Sequence, residues 1–228
     1  MGNYRFIVLL LVFFGISASF AQREDPSLGL SALKVQAMDV LYQKQDIRRA
    51  AVLLDQYLDQ DSGNAEVWFG RGVCYEALGG AEDAIGCYTA ALHHEPTRSE
   101  WYAKRAALRE NQRVANDWVE AYSIIMDYNF ALVYDPQNAE LWMRRALCKL
   151  TTFTVYLDAN ELTGSVLNRA AIAQEIPYAM DCCVDFDKAA ALNYKVAPKC
   201  QQKCTAFEHL FTEAFRVEYH QEVNQAGY

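Results

Sequence analysis

Proline and glycine are scarce, five and 11 in 228 residues, too few for a collagen-like chain or a proline-rich linker. Basic side chains are also in deficit, with 21 Lys and Arg against 29 Asp and Glu and a formal net charge of -8. That balance excludes nucleic acid or an anionic lipid surface as the main partner, because both need a basic footprint. Seven cysteines fall well below the density of a disulfide-stapled scaffold. Beyond the N-terminal segment no apolar run is long enough to cross a bilayer. Phosphate loops, dinucleotide fingerprints and the Gly-x-Ser-x-Gly elbow are missing. The four histidines, His93, His94, His209 and His220, never take the His-Glu-x-x-His spacing of a zinc enzyme. No catalytic residue, cofactor or metal ligand is therefore assigned, and the chain is read as a non-enzyme. What is plentiful is apolar surface: 52% hydrophobic and 13% aromatic residues, enough to bury a core.

Residues 1–21 have the pattern of an export signal: a positive start at Arg5, an apolar run from Phe6 to Phe14, then Ser19-Phe20-Ala21 before Gln22. Gly15, Ser17 and Ser19 interrupt the run too early for a membrane anchor. The ending Ser-Phe-Ala-Gln resembles exported proteins of Bacteroidetes-type bacteria, which implies a periplasmic or secreted protein. Residues 22–30 read as a polar lead-in.

From Ala65 onward the chain repeats itself. Trp68, Gly72 and Tyr75 mark one helix face, Leu78-Gly79-Gly80 marks a turn, Ala84, Tyr88 and Ala91 mark a second helix, and Glu95-Pro96 ends the unit. Thirty-four residues upstream stand Ala50, Leu54 and Tyr57. Downstream, Tyr102 and Ala106 are answered by Ile124, Tyr128, Ala131 and Asp135-Pro136. This copy is six residues longer than the first, which places a lengthened turn near Gln112 to Asp117. Trp142 and Ala146 open a fourth copy, closed by Cys182, Phe186, Ala189 and Asn193, with an insertion at about 152–176. Within it, a helix is expected around Leu162 to Ala173. Cys200, Cys204 and Phe207 repeat the first-helix spacing once more.

These columns resemble the tetratricopeptide repeat, whose pattern is Trp-x2-Leu-Gly-x2-Tyr, then Ala-x3-Phe, then Pro; Arg71 departs from it where Leu is preferred. The resemblance implies an all-α, right-handed superhelical solenoid over residues 31–226. Its repeats are expected at about 31–64, 65–98, 99–138 and 139–196, followed by a capping helix at 197–223. It further implies a concave groove lined by the first helices, taking a peptide or partner helix. The residues assigned to that binding surface are Tyr42, Phe69, Val73, Lys104, Met143, Arg144, Leu147 and Leu150. The lysine and asparagine columns of the family's carboxylate clamp are not matched, since Gly70, Val73 and Ala107 stand in the asparagine positions.

Arg71, Arg105 and Arg145 share one column on the buried side of the first helices and need partners there. Asp127 and Asp185 share a second-helix column, so Arg105 is expected to pair with Asp127 and Arg145 with Asp185. Cys87 stands in that column beside Arg71, for which backbone carbonyls are expected instead. Phe207, Phe211 and Phe215 form a core stripe, and Phe215 with Tyr219 offers a dimer contact beyond it.

The cysteines read first as small core side chains. One or two disulfides, or a four-thiolate metal site at Cys182, Cys183, Cys200 and Cys204, stand as alternatives. Adjacent cysteines on a helix point about 100° apart, which counts against the metal. The expected role is a protein-binding adaptor of the cell envelope. Its rivals are a small-molecule or metal-handling protein built on the insertion and those thiols, and a structural subunit of an envelope assembly.

Overall fold

The computed structural model describes residues 26–114, 117–159 and 181–210. They form nine α-helices and no strand: α1 Pro26–Tyr42, α2 Ile47–Leu58, α3 Ala65–Leu78, α4 Ala81–His94, α5 Ser99–Gln112, α6 Trp118–Tyr134, α7 Ala139–Ala159, α8 Cys182–Ala191 and α9 Pro198–Leu210. Each helix packs on the one before and the one after, and α1 also touches α3. The result is an all-α superhelical solenoid of four hairpins with α9 docked on its end.

Local chemistry sets the helix ends. Asn64 and Asn138 accept from the backbone N–H of Val67 and Leu141 at 3.2 and 3.4 Å, and Asp117 accepts from Glu120 at 2.9 Å. At the end of α3, Gly79 adopts φ 83°, and Gly80 N–H reaches back to the Tyr75 carbonyl at 2.9 Å. That left-handed stop strains any residue with a Cβ. His93 and His94 close α4, where the exposed carbonyls favour them.

No hairpin hides its own apolar face, which is why they stack. Leu54, Tyr88, Tyr128 and Phe186, equivalent in the four hairpins, are all fully buried. Between them Gly72 lets α3 and α4 touch: a Cβ there would lie 2.5 Å from Tyr88 Cε1. Trp68 and Trp142 donate through Nε1 to the carbonyls of Ser62 and Pro136, each six residues earlier, at 2.8 and 2.9 Å.

Three boundaries differ from the sequence reading. Helix α1 begins at Pro26, inside the presumed lead-in, because Leu30 and Leu33 already pack on the first core and proline suits a first helical position. The extra residues of the third hairpin are shared. The turn holds five residues against two in the second hairpin, and α6 has 17 residues against 14 in α4. Thr152 to Ala159 belong to α7, which runs for 21 residues. Phe153, Tyr156 and Leu157 are buried, and the Tyr156 ring meets Trp118 edge-on at 5.9 Å. The expected signal segment, the helix at 162–173 and the contact of Phe215 with Tyr219 lie outside the described residues. Among the described residues no helix is long and apolar enough to cross a membrane.

Candidate functional site

Buried charge is costly unless paired, so the arginines sort themselves by what they touch. Arg105 grips Asp127 with Nε at 3.0 Å and Nη2 at 2.5 Å, and Arg145 grips Asp185 at 2.9 and 2.6 Å. Both expected pairs are present and bidentate, the strong form of this contact. Each aspartate takes a second cation that the column argument missed: Arg109 on Asp127 at 2.8 Å and Lys149 on Asp185 at 2.9 Å. Both stand one helical turn beyond the column arginine, a spacing that signals a shared face.

Arg71 corrects the expectation. It pairs with Asp55 of the preceding hairpin, not with backbone carbonyls, and donates to the Tyr75 hydroxyl at 3.0 Å. Its column mates also reach backward: Arg105 Nη1 donates to Thr89 Oγ1 at 2.9 Å and Arg145 Nη1 to Asn129 Oδ1 at 2.7 Å. Every partner lies 16 residues earlier. Trp68, Tyr102 and Trp142 lie beneath the three guanidiniums at 5.6, 5.7 and 4.6 Å. The column therefore bolts each hairpin to the one before it and leaves no joint anion site.

The first-helix face divides the assigned binding residues. Phe69, Met143 and Leu150 are core and do not line a surface. Phe69 stacks on Trp101 with ring centroids 5.0 Å apart, and Met143 and Leu150 pack around Phe186. Val73 is half-buried where the first two cores meet. Tyr42 and Leu147 stay exposed, at 51% and 37%. Lys104 lies 3.8 Å from Glu76, and Arg144 lies 2.9 Å from Glu140 and 3.9 Å from Glu110, so both assigned cations have carboxylate partners. The Lys104–Glu76 and Arg144–Glu110 pairs join the first helices of successive hairpins side by side, while Arg144–Glu140 lies within α7.

A cavity of about 310 Å³ opens beside Leu147, lined by Glu110, Arg113, Leu147, Cys148, Thr151 and Val155. Arg113 follows the last residue of α5, in the lengthened turn. Its Nη1 lies 3.7 Å from Cys148 Sγ, while Nε and Nη2 are buried with no hydrogen-bond partner among the described residues. The nearest carboxylates in sequence are committed elsewhere: Glu110 accepts from the Tyr128 hydroxyl at 2.8 Å, and Asp117 caps α6. Burial lifts the Glu110 carboxyl above its ordinary range, against the opposing pull of the Tyr128 hydroxyl, Arg144 and Arg113. Burial also pushes the Cys148 thiol up to about 11, so it stays protonated at neutral pH and is no nucleophile. The pocket thus has apolar walls, no reactive group among the residues that line it, and at its edge a guanidinium whose buried Nε and Nη2 have no hydrogen-bond partner among the described residues.

The comparisons with known proteins agree with this architecture. The family model described as tetratricopeptide repeat matches residues 41–108. No curated protein sequence matches the chain. Among solved structures, MamA superposes with a TM-score of 0.52 at 13% identity, over 74% of this chain and 78% of that one. A tetratricopeptide repeat protein from Parabacteroides merdae gives 0.46 at 19% identity, over 72% and 63% of the two chains. The Yersinia enterocolitica type III secretion chaperone SycD, in complex with a peptide of the translocator YopD, gives 0.44 at 15% identity, over 57% and 95%. Residues 41–108 match the tetratricopeptide-repeat model, and helical hairpins of the same build continue on both sides of them, tied together by the arginine column.

Proposed function

We propose that this protein is a non-enzymatic scaffold that holds a protein partner along its first-helix face, with a partner carboxylate seated on Arg113. The observation that carries this reading is the pair of buried guanidinium donors of Arg113, without a partner among the described residues, on a side chain that lines a pocket with apolar walls. A buried donor without an acceptor costs about 1–3 kcal/mol, more when charged, and a bound carboxylate supplies two parallel acceptors of the right geometry. Leu147 and Val155 beside it suit an apolar neighbour on the partner.

Selection of a short random peptide library against the full chain, followed by fluorescence titration, tests the proposal. Selected peptides should carry an Asp, a Glu or a free C-terminus, and converting that group to the amide should weaken binding at least about tenfold. Arg113→Met should do the same. Glu110→Gln should tighten binding, because it removes a negative charge beside the incoming one. The same logic gives the pH dependence: the raised carboxyl of Glu110 takes up its proton as pH falls, and an anionic peptide then binds more tightly until its own carboxylate titrates. Binding that ignores both Arg113 and the peptide carboxylate would defeat the reading.

The export signal read at residues 1–21 supports a periplasmic or secreted place for this scaffold. Mass analysis of the protein from its native host should then find Gln22 as the first residue; a chain beginning at Met1 would contradict export.

A further inference from the structure

Seven thiols are spread unevenly through the stack. Cys74 and Cys87 are buried on the second hairpin and Cys148 on the fourth, while Cys182, Cys183, Cys200 and Cys204 gather where α8 meets α9. There the sulfurs of Cys182, Cys183 and Cys204 all lie within 4.8 Å of one another, and Cys182 and Cys204 stand 3.7 Å apart. The objection that neighbouring cysteines point apart does not hold at this place. Asp181 turns the chain with φ 64° immediately before α8, and both Cys182 and Cys183 in its first turn approach Cys204.

We propose that Cys182, Cys183 and Cys204 form a zinc site that staples the capping helix α9 to α8, with Cys200, which packs against the same core, as the thiol for the fourth position. Zinc–sulfur bonds of about 2.3 Å in a tetrahedron set the sulfurs about 3.8 Å apart. One edge is already at that length, and the others need to close by about 1 Å at most to reach the same tetrahedral edge. A disulfide, by contrast, requires about 2.05 Å between sulfurs, much closer than the 3.7 Å between Cys182 and Cys204.

The composition of α9 gives the second argument. From Pro198 to Cys204 only Cys204 is buried and Cys200 half-buried, while Lys199, Gln201, Gln202 and Lys203 are exposed. This stretch therefore docks through two thiols one helical turn apart, where leucine would bury far more apolar area. Thiolates explain the choice, since metal binding contributes folding free energy directly. Three protons leave as the three thiols bind, and a fourth if Cys200 joins them, with no change of oxidation state.

Titration of the reduced, metal-free full chain with Co(II) tests the site. One equivalent should give the intense near-ultraviolet band of thiolate-to-cobalt charge transfer, and Zn(II) should displace it. Cys204→Ser and Cys183→Ser should weaken Co(II) by more than the roughly 10–100-fold that loss of an outer-shell partner costs, with helical content retained by circular dichroism. Cys87→Ser should bind Co(II) as the parent does. Zn(II) should raise the unfolding midpoint of the parent and not of Cys204→Ser. Absence of the band at stoichiometric Co(II) would overturn the proposal. So would a Cys182–Cys204 disulfide in protein isolated with its thiols blocked.

Discussion

Asp127→Ala should lower the unfolding free energy by about 3–5 kcal/mol, the cost of breaking a buried ion pair by removing one partner. Asp127 is 2% exposed and accepts from Arg105 through two nitrogens and from Arg109 through a third. Truncation strands two guanidiniums in a medium that solvates them poorly. Asp185→Ala should cost a similar amount, because Arg145 and Lys149 lose the same kind of partner. The two losses should differ in form. Asp127 lies in an interior hairpin, so its loss weakens contacts on both sides and unfolding stays a single transition. Asp185 lies in the last hairpin, which contacts the stack on one side. There the damaged unit is expected to open ahead of the rest, as stacked repeats with nearest-neighbour coupling do. Urea titration followed by far-ultraviolet circular dichroism measures both, and a shift below about 1 kcal/mol for either variant would place these aspartates among surface ion pairs.

The pairs that the sequence exposed and those that it hid differ for a physical reason. Arg105 with Asp127 and Arg145 with Asp185 are separated by 22 and 40 residues. Subtracting the extra residues of each copy leaves the same offset, so one column of arginines faced one column of aspartates. The backward partners of the same arginines are Asp55, Thr89 and Asn129. They share a position and no chemistry beyond an oxygen acceptor, so no single residue type announced them. Phe69, Met143 and Leu150 were placed on the groove by their columns, yet side-chain size moved them inward. Phe69 found a flat partner in Trp101, and Met143 and Leu150 filled the space around Phe186. Arg113 belongs to the turn that breaks the 34-residue grid, where no column exists to judge a side chain. Its signal is an arginine whose neighbouring carboxylates, Glu110 and Asp117, are already in use. The thiol cluster was legible as a spacing, and its geometry depended on how α9 docks on α8, which periodicity does not contain.

The functional account rests on a distinction between arginines that hold the stack together and one held in reserve for a partner. Comparing the unfolding free energies of Arg113→Met and Arg105→Met tests it most directly. Removing a buried charge that has unsatisfied donors should leave stability unchanged or raise it by about 1–3 kcal/mol, whereas Arg105→Met abandons the buried carboxylate of Asp127 and should cost about 3–5 kcal/mol. If Arg113→Met destabilises the chain as much as Arg105→Met does, Arg113 is another bolt in the stack, and the pocket beside Leu147 is no seat for a partner.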